Sequence, residues 1–338
     1  MRKIVFLFPG STSDYQGGGF NVAMDFYKST SNLYESEIVF YNEVTEDALA
    51  KNLINDTGVN VYVVTWGPDV EKIINKINVI NQTPQNIIYF AQSSGWDITI
   101  PNNVPIICVS RSVMNYWLHQ KPFNHVYLLP PILNINNLDQ SKERLIDVLF
   151  VSRKSTHYVK EKLIPKLSKN FNVKVIDEFI DKEELIKDYC SSKVYIYSSR
   201  EHNQTGKSWG EGFGLQPLEA AMCGATVFSN LNGGLVDHMD PGFNMFQIEV
   251  HSLQYDYARV AHEINFWSNK NNEVIEGIRS KYSEESFNKR ISTILINILN
   301  YFEIIRDKDC YDFIEVRKTN NNLKAFKKFI KRVIRYEV

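Results

Sequence analysis

The sequence has few cysteines, and their spacing excludes two kinds of structure. Only four occur in 338 residues, at Cys108, Cys190, Cys223 and Cys310, and no two of them form a C-x-x-C pair. This spacing excludes a zinc ribbon and a disulfide framework, and it is typical of small core residues in a reducing cytoplasm.

Long hydrophobic runs are also missing. No stretch approaches the roughly 18 apolar residues that a membrane-spanning helix needs. The opening MRKIVFLFPG has too short an apolar run for a signal peptide and predicts a buried strand instead. We therefore expect a cytoplasmic protein that is soluble or lies on the inner face of a membrane.

The chain as a whole carries no charge excess of either sign. Its formal net charge is −1, which argues against a nucleic-acid binder, since such proteins carry a basic excess. The average hides an asymmetry, because residues Arg317–Val338 carry +7 and the rest of the chain −8. The length predicts two domains, and 43% hydrophobic residues suffice for two packed cores.

Short β-branched runs alternate with helical segments along most of the chain. Strands are predicted at residues 3–8, 37–41, 59–66, 86–91, 105–110, 125–130, 146–152, 172–177, 193–199 and 225–229. Helices are predicted between them, for example at 20–29 and 69–77, and a long one at 284–305. This alternation predicts an α/β fold with parallel sheets. A polar linker at 130–143 divides a first domain at 1–135 from a second at 143–310, which a basic helix at 311–338 follows.

Two glutamates lie eight residues apart in EGFGLQPLE. Gly212 and Gly214 allow a sharp turn after Glu211, and Pro217 suits the first turn of a helix that also contains Glu219. A turn followed by a helix N-terminus can bind a diphosphate, while a nearby carboxylate accepts hydrogen bonds from sugar or ribose hydroxyls. The alternative is structural: Glu211 would cap the helix and Glu219 would complement its dipole.

Three glycines, Gly17, Gly18 and Gly19, follow the first predicted strand and open the next helix. They bring the backbone close to a ligand, and the helix N-terminus favours an anion. The pattern is not G-x-G-x-x-G, so the dinucleotide-binding fingerprint is not met. A flexible loop without a ligand is the alternative.

The segment EGFGLQPLEAAMCGATVFSNLNGG resembles the donor-binding segment of retaining glycosyltransferase family 4, whose signature has two glutamates with seven residues between them. The resemblance covers most of the chain. The glycine loop is similar to the family's diphosphate loop, VPIICVSRSVMNYW to a strand–Ser–helix element, and DVLFVSRK to the first strand of the second domain. The implied fold is GT-B, in which two Rossmann-like α/β domains with parallel sheets face each other across a cleft.

The resemblance also implies roles for individual residues. Glu219 would bind the ribose hydroxyls and Glu211 would face the donor sugar. Arg153, together with Lys160 or Lys154, would stabilise the departing nucleoside diphosphate. Further donor contacts would come from the glycine loop and from Phe213, Gly214 and Leu215. Each lysine is otherwise explained as a solvated surface charge.

The acceptor side departs from the family pattern. Family members often carry a His after the fourth or fifth strand, where this chain has YFAQSSGWD. Gln92 and Asp97 are the candidate sugar contacts there, unless they only belong to a polar loop. Ser152 replaces a family glycine, Asp237 stands where a Glu commonly follows Gly-Gly, and a polar insertion fills residues 200–209.

The reaction that the resemblance implies needs no enzyme nucleophile, metal or cofactor. The acceptor hydroxyl attacks on the face that the leaving group vacates, and the protein positions the reactants and stabilises charge. The nucleotide sugar is itself a substrate. The D-x-D sequence at residues 307–309 follows a long helix rather than a strand, and we interpret it as a chance match.

The C-terminal segment LKAFKKFIKRVIRYEV has an apolar stripe at steps of three and four, with Lys and Arg on its other sides. Such a helix, over residues 323–336, can lie on an anionic membrane surface. The last helix of this fold often crosses back to the first domain, so packing there is the alternative.

We therefore predict a retaining hexosyltransferase that moves a sugar from a UDP- or GDP-sugar to a glycan or lipid-linked acceptor in surface polysaccharide synthesis. Two alternatives stay open: an inactive GT-B protein that binds a sugar or nucleotide, and a GT-B nucleotide-sugar epimerase. An epimerase would turn over its sugar without an acceptor, but the chain shows no carboxylate–His set for that reaction.

Overall fold

The structure is a computed structural model that describes residues 2–306 except 13, 16, 56, 66, 96, 134, 136–142, 154, 200–209, 249–251 and 269–271. Lys154, the 200–209 insertion, the D-x-D sequence, Cys310 and the basic helix lie outside the described residues. Internal contacts divide the chain into two units, Met1–Ile291 and Ser292–Val338. The second unit is described only at 292–306.

The first sheet has six parallel strands in the order β2-β1-β3-β4-β5-β6. Its elements are, in chain order, β1 (Ile4–Phe8), α1 (Gly18–Ser31), β2 (Ser36–Phe40), α2 (Glu46–Leu53), β3 (Val61–Thr65), α3 (Val70–Asn81), β4 (Asn86–Ala91), β5 (Ile106–Cys108), α4 (Arg111–Gln120) and β6 (Val126–Leu128). Every residue of β1 and β3 is buried. Such continuous burial requires helices on both faces of the sheet, which explains the unbroken apolar runs.

The second sheet has five parallel strands in the order β11-β10-β9-β7-β8. Its elements are β7 (Ile146–Val151), a π-helix (Val159–Leu163), α5 (Ile164–Leu167), β8 (Val173–Ile176), α6 (Lys182–Cys190), β9 (Ser192–Tyr197), α7 (Leu215–Met222), β10 (Thr226–Ser229), a 3-10 helix (Gly233–Asp237), β11 (Phe246–Gln247), α8 (Leu253–Asn265) and α9 (Asn272–Lys281). The long helix α10 (Glu284–Arg306) follows. None of the described helices has the length and apolar content needed to cross a bilayer.

The predicted fold class is confirmed, since two parallel α/β sheets lie on either side of the predicted linker. All ten predicted strands are present, and the helices predicted at 20–29, 69–77 and 284–305 correspond to α1, α3 and α10. The two-residue strand β11 was not predicted, because it is too short to give a periodic signal. Cys108, Cys190 and Cys223 are free and buried, as their spacing indicated.

The two faces of β9 differ in chemistry, and this difference positions the candidate site. Val194 and Ile196 join an apolar core with residues of α5 and α8. Because side chains alternate along a strand, Tyr195 and Tyr197 point to the opposite face. There the hydroxyl of Tyr195 donates a hydrogen bond of 3.1 Å to Gln216 Oε1 of α7. The helix with the second glutamate therefore covers a face rich in hydroxyl groups.

Candidate functional site

Most of the predicted site residues lie at the carboxyl ends of strands. The glycine loop 17–19 follows β1 and Gln92 follows β4 in the first sheet, while Arg153 follows β7 and Glu211 follows β9 in the second. In open parallel sheets, ligands bind outside these ends, where the strand order reverses. That reversal lies between β1 and β3 in one sheet and between β7 and β9 in the other, so the glycine loop, Arg153 and Glu211 all follow strands that flank a reversal.

The turn that carries Glu211 is built from close backbone contacts. Gly214 has a φ of +84°, which confirms the predicted sharp turn, since only glycine adopts this conformation readily. A Cβ atom at Gly234 would lie 2.6 Å from Phe213 Cα. The N–H of Gly234 donates a hydrogen bond of 2.6 Å to the carbonyl oxygen of Glu211. The Gly-Gly pair after β10 therefore allows the backbone of the glutamate turn to pack directly against it.

The carboxylate of Glu211 is held by a buried phenol. Tyr197 Oη donates a hydrogen bond of 2.6 Å to Glu211 Oε2. Helix α7 begins with Gly214 as its N-cap and has no side-chain capping bond. The capping role considered for Glu211 is therefore not what the structure shows, and the carboxylate is a partly buried acceptor at the end of the sheet.

The predicted position of Glu219 in the first helical turn is wrong. Helix α7 begins at Leu215, so Glu219 is its fifth residue and the first turn contains no acidic side chain. The helix starts before Pro217 because Gly214 ends the turn, and proline at the third position still lacks only an N–H that would have no helical partner. A dipole effect is confined to the first turn, so the dipole explanation considered for Glu219 does not hold.

Glu219 is a buried carboxylate with a lysine beside it. It is 6% exposed, and Lys182 Nζ lies 3.4 Å from its Oε1 atom. Burial raises the pKa of Glu219, and the charge of Lys182 opposes this rise. Such a carboxylate can accept hydrogen bonds from hydroxyls of a ligand. The sequence did not single out Lys182, because the run DKEELIKD carries no motif.

The glycine loop lies next to the glutamate segment. Helix α1 begins at Gly18, with Gly17 as an N-cap that makes no side-chain bond. A Cβ at Gly18 would lie 3.7 Å from Leu215 Cδ1, whereas one at Gly17 would meet no described atom within 4 Å. The φ of Gly17 is −156°, which any residue adopts. The fold itself therefore does not require glycine at position 17.

Gln92 contacts both the glycine loop 17–19 and the turn after Glu211. Its Nε2 atom donates a hydrogen bond of 2.7 Å to the carbonyl oxygen of Gly19. A Cβ at Gly212 would overlap the carbonyl oxygen of Gln92. The two sheets also meet where the N–H of Arg111, at the start of α4, donates a bond of 2.7 Å to Asp237 Oδ2. Gln92 thus lies beside the predicted donor residues.

The structure does not bring every predicted residue to this point. The exposed guanidinium of Arg153 lies 5.8 Å from the ring centroid of Phe179. Lys160 is exposed within the π-helix, a helix type that is often found at functional sites. Asp97 lies in an exposed loop. None of the contacts described here joins these three side chains to Glu211, so their roles stay predictions.

Behind the turn, the ring of Phe213 packs against a buried histidine. Its centroid lies 5.0 Å from that of His238 and 5.3 Å from that of Tyr282. Burial, assisted by the charge of Lys281, lowers the pKa of His238 to about 3. The imidazole is therefore neutral. Across the described ranges, no cluster of three His, Cys, Asp or Glu side chains is arranged to hold a metal ion.

Comparison with known proteins identifies similar structures but no sequence family. No family model matches the chain, and no curated protein matches it. A glycosyltransferase from Rickettsia africae is 13% identical over 88% of this chain and 98% of its own, with a TM-score of 0.64. Anabaena HepE in complex with UDP and glucose is 12% identical over 87% and 99%, with a TM-score of 0.60. Sucrose-phosphate synthase from Thermosynechococcus elongatus is 11% identical over 89% and 100%, with a TM-score of 0.61. This likeness shows the fold, which is GT-B.

Proposed function

We propose that this chain is a glycosyltransferase that takes a nucleotide sugar as donor and binds it between the glycine loop 17–19 and the segment 211–219. The observation that carries the proposal is that the glycine-built turn after Glu211 lies beside that loop, with Leu215 next to Gly18, and that the buried Glu219 follows one helix turn after Leu215. The similarity to HepE, whose structure contains UDP and glucose, supports a donor of this class.

Two helix N-termini supply the site for the diphosphate. The start of α1 at Gly18 lies next to the start of α7, since a Cβ at Gly18 would approach Leu215 to 3.7 Å. Each helix start offers backbone N–H groups without helical partners and a positive dipole end, which together favour phosphate oxygens. Glu219, further along α7, would accept hydrogen bonds from the ribose hydroxyls.

The donor sugar would lie against Glu211, and the reaction would proceed with retention, as in glycosyltransferase family 4. The bond between the anomeric carbon and the diphosphate oxygen breaks, and the acceptor hydroxyl forms the new bond on the same face. The hydroxyl proton passes to the departing diphosphate. Arg153 and Lys160 would stabilise the charge that develops on this leaving group.

The finer parts of the proposal concern substrate and location. The donor would be a UDP- or GDP-hexose, and the acceptor a glycan or a lipid-linked sugar of a surface polysaccharide. The basic segment 323–336, with its apolar stripe, supports attachment to an anionic membrane surface. We expect no metal requirement, so EDTA should leave the activity unchanged.

Donor turnover followed by proton NMR tests the proposed function. The full chain is incubated with UDP-glucose, UDP-galactose, UDP-N-acetylglucosamine, GDP-mannose or ADP-glucose, with and without EDTA. Because no acceptor is added, water takes its place, and we expect slow hydrolysis of one donor to the nucleoside diphosphate and the free sugar. The α-anomer of the sugar should appear first, because retention keeps the donor's α-configuration. Conversion of one nucleotide sugar into its epimer would favour an epimerase. Failure of all five donors to bind or react would refute the proposal.

A further inference from the structure

The tyrosine at the end of strand β9, Tyr197, contacts the carboxylate of Glu211, which the proposed function places against the donor sugar. Tyr197, the last residue of β9, is 6% exposed, and its hydroxyl donates the 2.6 Å hydrogen bond to Glu211 Oε2. Phenylalanine would fill nearly the same volume. The hydroxyl is therefore explained by the carboxylate that it contacts rather than by packing.

The register of the sheet explains why the phenol arrives at this point. Tyr195 and Tyr197 lie on the face of β9 that α7 covers, and Tyr197 pairs with Ser229 of β10. The 3-10 helix after β10 then supplies Gly234, whose N–H donates a hydrogen bond to the carbonyl oxygen of Glu211. Two neighbouring strands thus hold Glu211 at two points, one on its backbone and one on its side chain.

We propose that Tyr197 is a positioning residue that fixes the side chain of Glu211 for the donor sugar. This inference rests on the proposed function. A glutamate has three rotatable side-chain bonds, and ordering them during binding costs conformational entropy. The phenol orders them in advance and occupies Oε2, which leaves Oε1 to accept a hydrogen bond from a sugar hydroxyl.

The surroundings of Tyr197 keep its hydroxyl in the donor form. Burial raises the pKa of Tyr197 well above its usual value, and the nearby carboxylate of Glu211 raises it further. The phenol therefore stays protonated at neutral pH and can donate its hydrogen bond. A hydrogen bond to a charged oxygen is also stronger than one between neutral groups.

The test compares the removal of two tyrosine hydroxyl groups on the same face of one strand. Tyr197→Phe removes the hydrogen bond to Glu211. Tyr195→Phe is the matched control, because Tyr195 lies two residues earlier on the same face of β9 and its hydroxyl bonds Gln216 instead. The probe is the nucleotide sugar, among UDP-glucose, UDP-galactose, UDP-N-acetylglucosamine and GDP-mannose, that the parent binds most tightly. Calorimetry measures its affinity and that of the corresponding nucleoside diphosphate alone.

We expect Tyr197→Phe to weaken binding of the nucleotide sugar by roughly threefold to tenfold, because binding must then order the Glu211 side chain that the phenol holds in the parent. Binding of the diphosphate alone should change less than twofold, because Glu211 does not contact it. Tyr195→Phe should match the parent in both measurements. In a Glu211→Gln background, adding Tyr197→Phe should cause less than a further twofold loss, because its charged acceptor is already absent.

Two results would overturn the positioning role: Tyr197→Phe matching Tyr195→Phe, or equal losses for the nucleotide sugar and the diphosphate alone. A full further loss in the Glu211→Gln background would also overturn it. If the parent binds no nucleotide, the proposed function itself is refuted. If the parent binds and only the comparison of the two tyrosines fails, the positioning role is refuted alone.

Discussion

Mild acid should destabilise the first unit through one buried histidine behind the glutamate turn. His238 is 8% exposed, and its ring lies 5.0 Å from Phe213 and 6.4 Å from Tyr282 between centroids. Burial first, and the charge of Lys281 second, lower the pKa of His238 to about 3 from an ordinary value of 6.5. The carbonyl oxygen of Asp237 accepts a hydrogen bond of 3.3 Å from Lys281 Nζ, which keeps this charge nearby.

The size of the effect follows from proton linkage. Between pH 6.5 and 3 the unfolded chain binds a proton at His238 that the folded chain does not, so the free energy of unfolding falls by about 1.4 kcal/mol per pH unit. The stabilisation is complete above pH 6.5 and is lost as the pH falls towards 3. At pH 5 the loss amounts to about 2 kcal/mol relative to pH 7.5.

Urea unfolding at pH 7.5 and pH 5 measures this loss. The parent is compared with His238→Leu, and His119→Leu is the control because His119 is exposed on α4. Carboxylates contribute to the pH dependence of all three proteins, so the difference between variants isolates the histidine. We expect the parent and the control to lose about 2 kcal/mol more than His238→Leu. Equal losses in all three proteins would refute the reasoning.

Three further predictions concern the ligand sites and the C-terminal segment. Gly17→Ala should leave the thermal midpoint unchanged and weaken UDP binding in calorimetry, and parent-like UDP binding would exclude the glycine loop as a phosphate site. Gly234→Ala, by contrast, should lower the free energy of unfolding by about 1–3 kcal/mol, because its Cβ would overlap the turn. Lys182→Met should raise the pKa of Glu219 further, so UDP affinity should begin to fall at a higher pH than in the parent, and identical pH profiles would contradict the pairing. Truncation after Thr319 should reduce co-sedimentation with anionic liposomes but not with neutral ones; unchanged binding to anionic liposomes, with loss of folding, would favour packing of the tail.

The strands could be predicted from the sequence because parallel sheets bury both faces. Runs such as IVFLF and VYVVT need no partner information to be recognised, and each is a strand. Pro217 lies in the first turn of α7 as predicted, but Glu219 does not, because the left-handed Gly214 starts the helix at Leu215. The order of strands in each sheet depends on pairings between distant residues and was not predicted.

The glutamates and the glycine loop could be singled out because each has a local pattern. The contacts that organise them have none. Gln92 and Gly19 are 73 residues apart in the chain, and the bond from Tyr197 to Glu211 depends on which face of β9 receives α7. The sequence therefore named Gln92 only as a candidate sugar contact, without its bond to Gly19, and it did not single out Tyr197.

Binding of nucleoside diphosphates to the parent and to Glu219→Ala tests the central claim most directly. The control is Glu263→Ala, since Glu263 is buried to a similar degree, at 8% exposed, but lies on α8. Calorimetry with UDP, GDP and ADP, together with thermal midpoints, separates binding from folding. The account predicts that the parent and the control bind one of the three and that Glu219→Ala, while still folded, loses at least tenfold in affinity. Equal affinity of the parent and a folded Glu219→Ala variant would contradict it.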